Sequence, residues 1–224
     1  MTEPLHRSPI YAELDRLGAT WKTVSRRQFA VYLARGAQDE TVVRELAICD
    51  ISGLPSWTAK GAGAEAWLRQ NQVTVPSEIY ANYADKTSGI RVIRTGNDEF
   101  LVELAPHCKP PAWVIPPDKQ SDEFVMFERQ DAVFLLTGRR ACEVLAQTCG
   151  INWNEISTDT LVMTRVAGVS GGIIPSFQQE IPWFQIRCDG TYAIYLWGQL
   201  VTICNELDGQ VAGTQLVCPE WCDE

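Results

Sequence analysis

Two arginines, Arg94 and Arg165, each lie at the end of a stretch that the sequence predicts to be a β-strand. A guanidinium group presents its N–H donors as a planar fork, so it binds a carboxylate through two parallel hydrogen bonds. Arginines at strand ends are therefore candidates for binding a ligand that carries carboxylates. The alternative for each arginine is an ion pair on the protein surface, which contributes little to stability.

Two carboxylates, Asp98 and Glu99, follow a Gly-Asn pair between two apolar stretches, 90–94 and 99–104. Gly-Asn between apolar stretches favours a β-hairpin, because both residues tolerate positive φ. Turns also favour Asp for local hydrogen bonding. We therefore interpret the two carboxylates first as hairpin and solubility residues, and Glu99 as a candidate ligand contact. The sequence predicts no catalytic residue.

The eight cysteines and two histidines do not predict a metal site. Cys218 and Cys222 form a C-x-x-x-C pair, but no second pair with metal-ligand spacing accompanies it. The chain also has no G-x-G-x-x-G stretch and no iron–sulfur spacing, so we expect no flavin, heme or metal on it. Buried core thiols are expected at four cysteines with apolar neighbours: Cys142, Cys149, Cys188 and Cys204.

The charge and hydropathy of the chain exclude two classes of partner. Nineteen basic and twenty-eight acidic residues give a net charge of −9, whereas nucleic acids and anionic membranes attract basic surfaces. No apolar run approaches the roughly 18 residues that span a bilayer. Residues 1–9 have no apolar centre of the kind found in signal peptides. We expect a cytoplasmic protein that binds neither nucleic acid nor membranes.

A strand, a glycine and a helix follow one another twice along the chain. The stretch 56–68 is predicted to change from strand to helix at Gly61, and the stretch 132–145 at Gly138. In both, alanine is the third residue after the glycine and leucine the seventh. Glycine suits a sharp turn of this kind because it adopts positive φ without steric cost. The repeat predicts a duplicated, pseudo-symmetric α+β fold.

The remaining predictions come from periodicity and turn residues. A helix is predicted after Ser8 and Pro9, with Ser8 as its N-cap, and a second helix over 39–47. Further strands are predicted at 29–33, 161–166 and 183–187, a long loop at 167–182, and a helix after Asp189. The predicted domains are a first half at 8–105, a proline-rich linker at 106–120, a second half at 121–209 and a mobile acidic tail at 210–224.

Several stretches, in their order along the chain, resemble the folate-binding aminomethyltransferase (glycine-cleavage T-protein) superfamily. The resemblance covers about residues 8–207. It is strongest to the gamma subunit of heterotetrameric sarcosine oxidase and the small subunit of bacterial secondary-amine (dimethylamine) monooxygenase. The stretches are Ser8 to Tyr11, Leu46 to Ser52, Gly96 to Val102, Leu136 to Ala141, Val162 to Arg165 and Thr191 to Trp197.

The resemblance implies an α+β fold with mixed and antiparallel sheets but without the C-terminal barrel of T-proteins. It also implies tetrahydrofolate as the cofactor, whose N5 and N10 amines capture an iminium or formaldehyde carbon. Gln185 stands where the family has a pterin-binding glutamate; an amide can hydrogen-bond a pterin edge but offers no anion. The further folate contacts expected are Trp183, Arg94, Arg165 and Glu99. In place of the family's essential aspartate the chain reads Thr87-Ser88-Gly89-Ile90, and Asp85 is the nearest carboxylate.

Two hypotheses follow. In the first, the chain is a small folate-handling or structural subunit of an oxidative N-demethylase, and larger subunits carry the redox cofactors. In the second, it is a free-standing folate-dependent aminomethyltransferase-like enzyme with a relocated acid. Eight tryptophans, among them Trp57, Trp113 and Trp183, favour the subunit hypothesis if some lie in an interface, where aromatic residues are enriched. Others will belong to the core.

Overall fold

The structure is a computed structural model that describes residues 5–109, 111, 113 and 123–221 of the chain. Its helices are α1 (Tyr11–Arg16), α2 (Glu40–Glu45), α3 (Ala64–Gln70), α4 (Ala141–Thr148), α5 (Ala193–Glu206) and α6 (Thr214–Val217). Its strands are β1 (Ala19–Val24), β2 (Arg27–Leu33), β3 (Ala47–Asp50), β4 (Ser56–Lys60), β5 (Asn82–Asp85), β6 (Ile90–Gly96), β7 (Glu99–Leu104), β8 (Val125–Glu128), β9 (Ala132–Thr137), β10 (Val162–Val166), β11 (Val169–Gln178), β12 (Ile181–Cys188) and β13 (Gln210–Ala212).

The first of two compact units has its described residues at 5–53, 131–158 and 162–221. Its main sheet, called here the larger sheet, has the strand order β10-β11-β12-β9-β3-β13. All neighbours are antiparallel except β3 and β13. Helices α4 and α5 pack on one face, the helix face, where they bury Phe134, Leu145 and Leu200. The hairpin β1–β2 adds Ala30 and Leu33 to this core.

The second unit has its described residues at 54–109, 111, 113, 123–130 and 159–161. Its sheet, called here the smaller sheet, is antiparallel throughout and has the strand order β5-β6-β7-β4-β8. Helix α3 packs on one face because Ala64 and Leu68 recur on one side of the helix. There they bury Val92, Phe100 and Met126.

The two main sheets have the same strand topology. The order β5-β6-β7-β4-β8 in the smaller sheet matches β10-β11-β12-β9-β3 in the larger sheet, position by position. Strand β3 pairs with β9, and β8 pairs with β4. Each sheet therefore takes one strand from the other half of the chain, and the compact units interleave the predicted halves 8–105 and 121–209. None of the sheets formed by described residues closes into a barrel. The α+β class and the duplicated strand–glycine–helix order are confirmed.

Gly61 and Gly138 occupy corresponding turns, β4 to α3 and β9 to α4. Both have positive φ, +130° and +114°. A Cβ at Gly61 would lie 2.7 Å from the Cα of Phe124, and one at Gly138 would lie 2.7 Å from the Cα of Leu46. Phe124 directly precedes β8 and Leu46 directly precedes β3, so the obstructing backbone also corresponds. Both conformation and space restrict these positions to glycine.

The prediction of a loop at 167–182 is wrong, because most of this stretch forms β11, an interior strand of the larger sheet. The glycines that suggested a loop serve close backbone packing instead: a Cβ on Gly171 would run into the carbonyl of Arg187 on β12. Ile173 and Ile174 are buried within the strand. The turn to β12 is short and passes through Gln179 and Glu180, both with positive φ.

The mobile tail predicted at 210–224 is also wrong over its described part. Residues 210–212 form β13, which lies parallel to β3, and 214–217 form α6. Burial of Val211, Val217 and Cys218 accounts for this order, because these apolar groups leave water. Cys222 and the last two acidic residues lie outside the described residues, as does most of the predicted linker at 106–120.

Smaller differences concern the ends of elements. Helix α2 stops at Glu45, since Ala47 already pairs in β3. The N-cap of α1 is Ile10, and Ser8 instead accepts a hydrogen bond from the Ile10 N–H at 3.2 Å. The β6–β7 hairpin is present, although its Gly96 does not use positive φ. Of the four predicted core thiols, Cys142 is only half-buried.

Replacement of Gly61 or Gly138 by alanine should lower the free energy of unfolding by about 1–3 kcal/mol, because the new Cβ meets both strain and backbone. Gly198 is the matched control: it lies within α5 and a Cβ there has open space. Gly198→Ala should raise stability by about 0.5–1 kcal/mol, since alanine favours helix interiors. Urea denaturation measures all three. Wild-type stability in either Gly61→Ala or Gly138→Ala would contradict the close approach.

Candidate functional site

The face of the larger sheet opposite to the helix face is called here the second face. It carries three side chains at alternate positions of β12. Side chains alternate along a strand, and Phe184 and Ile186 face the helices. Trp183, Gln185 and Arg187 therefore share the second face. Of these, Trp183 packs in a separate apolar cluster with Val133 and Leu135 of β9, among others. The site is thus a polar strip with an apolar cluster at one end.

Gln185 lies between two apolar neighbours across the strands, Ile174 on β11 and Leu135 on β9. It is 8% exposed, so its amide lies in surroundings poor in water. A buried amide requires hydrogen-bond partners and offers both a donor and an acceptor. This position suits the recognition of a neutral ring edge that itself presents donors and acceptors.

Arg187 forms a buried ion pair with Asp131, which precedes β9. Its Nη1 donates to Asp131 Oδ2 at 2.7 Å, and the two side chains are 10% and 8% exposed. Removing one partner of such a pair typically costs about 3–5 kcal/mol, because the other charge stays buried. The pair therefore holds the end of β12 to the start of β9, next to Gln185.

Arg165 shares the second face with Gln185 but is exposed. It pairs with Ser170 on β11, and Ser170, Gly172 and Ile174 alternate on that face. Arg165 lies on β10, the edge strand, two strands away from Gln185 on β12. A guanidinium here can reach a flexible anionic group that extends outward from the sheet.

Arg94 is instead a structural residue of the smaller sheet. Its side chain is 15% exposed and forms an ion pair with Glu65 at 3.2 Å. It donates to the carbonyl oxygens of Pro76 at 3.2 Å and Asn97 at 2.6 Å, and it lies over the Phe100 ring. These contacts occupy the guanidinium fork, so the ion-pair alternative describes Arg94 better than ligand binding.

Glu99 has a similar role in the same hairpin. Its carboxylate pairs with Lys60 at 2.8 Å and accepts from Thr95 Oγ1 at 3.3 Å. The hydrogen bond from Lys60 is the main cause that lowers the pKa of Glu99. The carboxylate is therefore ionised at neutral pH and is held to β4 and β6. The structure thus places Gln185, Trp183 and Arg165 on the same sheet face, and it places Arg94 and Glu99 in the other unit.

Sequence reasoning missed two buried acidic positions beside the predicted residues. One is the Asp131–Arg187 pair; the other is Glu103, which is 3% exposed and pairs with Arg91 Nη1 at 3.3 Å. Glu103 lies opposite Ser56, and Arg187 lies opposite Val133. Ser56 and Val133 each precede their turn glycine by five residues, so Glu103 and Arg187 occupy corresponding positions in the two sheets. The signal in the sequence was a charged residue within a largely apolar strand, as at Glu103 of β7 and Arg187 of β12.

Asp50 is a third buried carboxylate, and it serves as an anchor. Ser52 donates to Asp50 Oδ1 through Oγ at 2.5 Å and through its backbone N–H at 3.1 Å. The same Oγ accepts from the backbone N–H of Val133 at 3.0 Å. Burial raises the pKa of Asp50 despite these hydrogen bonds. The network joins the end of β3 to β9.

The described residues include no group of three or more His, Cys, Asp or Glu side chains that could hold a metal ion. The part of the chain covered by the structure also contains no helix that is both long and apolar enough to cross a membrane. The seven cysteines among the described residues are free thiols.

Comparison with known proteins identifies the fold. No family model and no curated protein matches the sequence. The solved structure of glycine cleavage system aminomethyltransferase T from Bartonella henselae matches with a TM-score of 0.69 and 17% identity, over 95% of this chain. The chain spans only 60% of the length of that aminomethyltransferase.

A second match is to heterotetrameric sarcosine oxidase from Corynebacterium sp. U-96, solved in complex with pyrrole 2-carboxylate. The TM-score is 0.66 at 16% identity, over 91% of this chain and 97% of the matched one. At such identities the likeness establishes the fold rather than the chemistry. The chain therefore has a fold that is also found in glycine cleavage system aminomethyltransferase T and in a chain of heterotetrameric sarcosine oxidase.

Proposed function

We propose that the chain is the small tetrahydrofolate-binding-type subunit of a bacterial oxidative N-demethylase complex of the sarcosine or dimethylamine class. In this role it transfers the formaldehyde-level carbon to folate, or it supports the complex structurally. The observation that carries the proposal is the extent of the two matches. The chain covers 97% of a chain of a heterotetrameric oxidase but only 60% of the aminomethyltransferase.

The second face of the larger sheet supports folate binding by its chemistry. Gln185 is buried and neutral. Its amide both donates and accepts hydrogen bonds, which suits the edge of a pterin ring. Trp183 lies two residues before it on the same face and packs against Val133 and Leu135. Arg165 is exposed on the same face, where its fork can bind carboxylates of a glutamate tail. Tetrahydrofolate bound there would supply the N5 and N10 amines that capture the carbon.

No acid on this face takes part in the proposal. Asp131 is committed to Arg187, and Asp50 lies opposite Phe134, which belongs to the helix face. The residues of this chain would therefore bind and orient a ligand and exclude water. The oxidation itself is assigned to larger subunits that carry the redox cofactors.

The second candidate function is a free-standing folate-dependent aminomethyltransferase-like enzyme. It requires a relocated carboxylate, since Thr87 to Ile90 contains none. The nearest, Asp85, accepts from the Thr87 N–H at 2.9 Å and from Ser88 Oγ at 2.8 Å, within its own turn. These hydrogen bonds lower the pKa of Asp85, which makes it a poor proton donor at neutral pH. This observation favours the subunit proposal.

The purified chain should associate with larger flavoprotein, ferredoxin-like or heme-protein subunits encoded beside its gene. The tryptophans are not the exposed contact residues, because Trp57 and Trp183 are buried and Trp113 packs on Trp67. The exposed large apolar side chains include instead Met163, Phe177, Tyr192, Ile194 and Tyr195, at 53–61%. Size-exclusion chromatography with light scattering detects the complex. A well-behaved monomer that binds none of these subunits would overturn the subunit assignment.

Gln185→Glu should tighten tetrahydrofolate binding about tenfold, because a charged partner contributes about 1.5–3 kcal/mol where a neutral amide contributes about 0.5–1.5. The matched control is Gln178→Glu, the same charge change at an exposed position of β11, which should leave affinity unchanged. Isothermal titration measures both variants against the wild type, and circular dichroism checks that each is folded.

The opposite result would also be informative. If neither the wild type nor Gln185→Glu gives a heat of binding, folate binding by this chain alone is excluded. If the assembled complex then releases only free formaldehyde when folate is supplied, the chain is a structural subunit.

A further inference from the structure

A cavity of about 330 Å³ lies on the helix-packed side of the smaller sheet. It lies beside β5, the edge strand, and next to the residues that follow α3. Its apolar lining includes Val73, Ile90 and Val92. This volume is at the lower end of the range for small-molecule sites.

Two aromatic residues line the same cavity, Tyr83 of β5 and Trp113. Trp113 is positioned by an edge-on contact with Trp67 of α3, whose ring centroid lies 5.4 Å away. Tyr83 pairs with Val92 across the strands, and Val92 lies in the core beneath α3. An aromatic face carries partial negative charge, so each ring can attract a cation.

Asp85 is the charged residue among those that line the cavity. It lies two residues after Tyr83 on β5, and therefore on the same face of the strand. The hydrogen bonds from Ser88 and Thr87 lower the pKa of its carboxyl, so it remains ionised at neutral pH. A fixed carboxylate disfavours anionic ligands and favours cationic ones.

The kind of cation follows from the remaining lining. A metal ion would need several carboxylate, imidazole or thiolate ligands, and Asp85 belongs to no such group among the described residues. The cavity is also far larger than a dehydrated ion needs. Aromatic faces, apolar side chains and one carboxylate are the features that bind alkylated ammonium groups.

We propose that this cavity binds a small organic cation of the alkylammonium class, with Asp85 as counter-ion and the rings of Tyr83 and Trp113 against its alkyl groups. Asn71 and Gln72 also line the cavity and supply polar contacts for a substituent on the cation. The inference does not rest on the proposed function, because it involves neither folate nor a partner subunit.

Choline and its uncharged carbon analogue, in which a tert-butyl group replaces the trimethylammonium group, test the proposal directly. The two probes have the same shape and differ in charge. The Trp113 indole N–H resonance, identified by its loss in Trp113→Phe, should shift saturably with choline. The analogue should bind about tenfold more weakly, since only the cation gains the aromatic and carboxylate attraction.

The contribution of the carboxylate is tested by Asp85→Asn, whose amide oxygen can accept from the Thr87 N–H and whose amide N–H can donate to Ser88 Oγ, the partners of the two carboxylate oxygens. This variant should bind choline about three- to tenfold more weakly than the wild type. The matched control is Asp15→Asn, the same change at an exposed aspartate of α1, and it should bind as the wild type does.

Three results would overturn the proposal. Equal affinity for choline and its analogue would show a plain apolar cavity, and equal affinity in Asp85→Asn would remove the counter-ion. If the Trp113 resonance shows no saturable shift up to about 100 mM choline, the cavity does not bind the cation. In the first comparison both affinities are measured on the wild type, and Trp113→Phe serves only to assign the resonance.

Discussion

At Gly61 and Gly138 the backbone turns from strand to helix so close to the neighbouring strand that not even a methyl group has space. This approach lets α3 and α4 begin directly at the sheet and lie across it. The alanine at the third position after each glycine, Ala64 or Ala141, is fully buried and keeps the helix near the strands. Both cores form beneath these helices, so the packing of each unit depends on a residue without a side chain.

The polar residues within the sheets serve two different purposes. The Asp50 network and the Asp131–Arg187 pair tie β3, β9 and β12 together inside the larger sheet. Gln185 lies within the same strands but offers a neutral amide between apolar neighbours. Because these charges are paired with one another, the hydrogen-bonding groups on this face are held in fixed positions.

Much of the architecture could be predicted from local patterns, because strand, glycine and helix are specified within about 15 residues. The exchange of β3 and β8 could not, since pairing between distant segments leaves no local signal. β11 was missed because its glycines and polar residues resemble a loop until the neighbouring strands are known. For the site, the resemblance suggested Gln185 and Trp183, and only the structure shows that the two side chains share one sheet face. The role of Arg94 depended on Glu65, Pro76 and Asn97, whose proximity only the fold reveals.

The position of β3 has a consequence during synthesis of the chain. β3 ends at Asp50, but its neighbours are β9, which begins at Ala132, and β13, which begins at Gln210. At roughly 5–20 residues per second, a ribosome needs about 4–16 s to reach β9. Throughout this interval both backbone edges of β3 lack their native partners, and such edges invite pairing with other chains. The newly made first segment therefore carries a strand without its native neighbours until the second segment emerges.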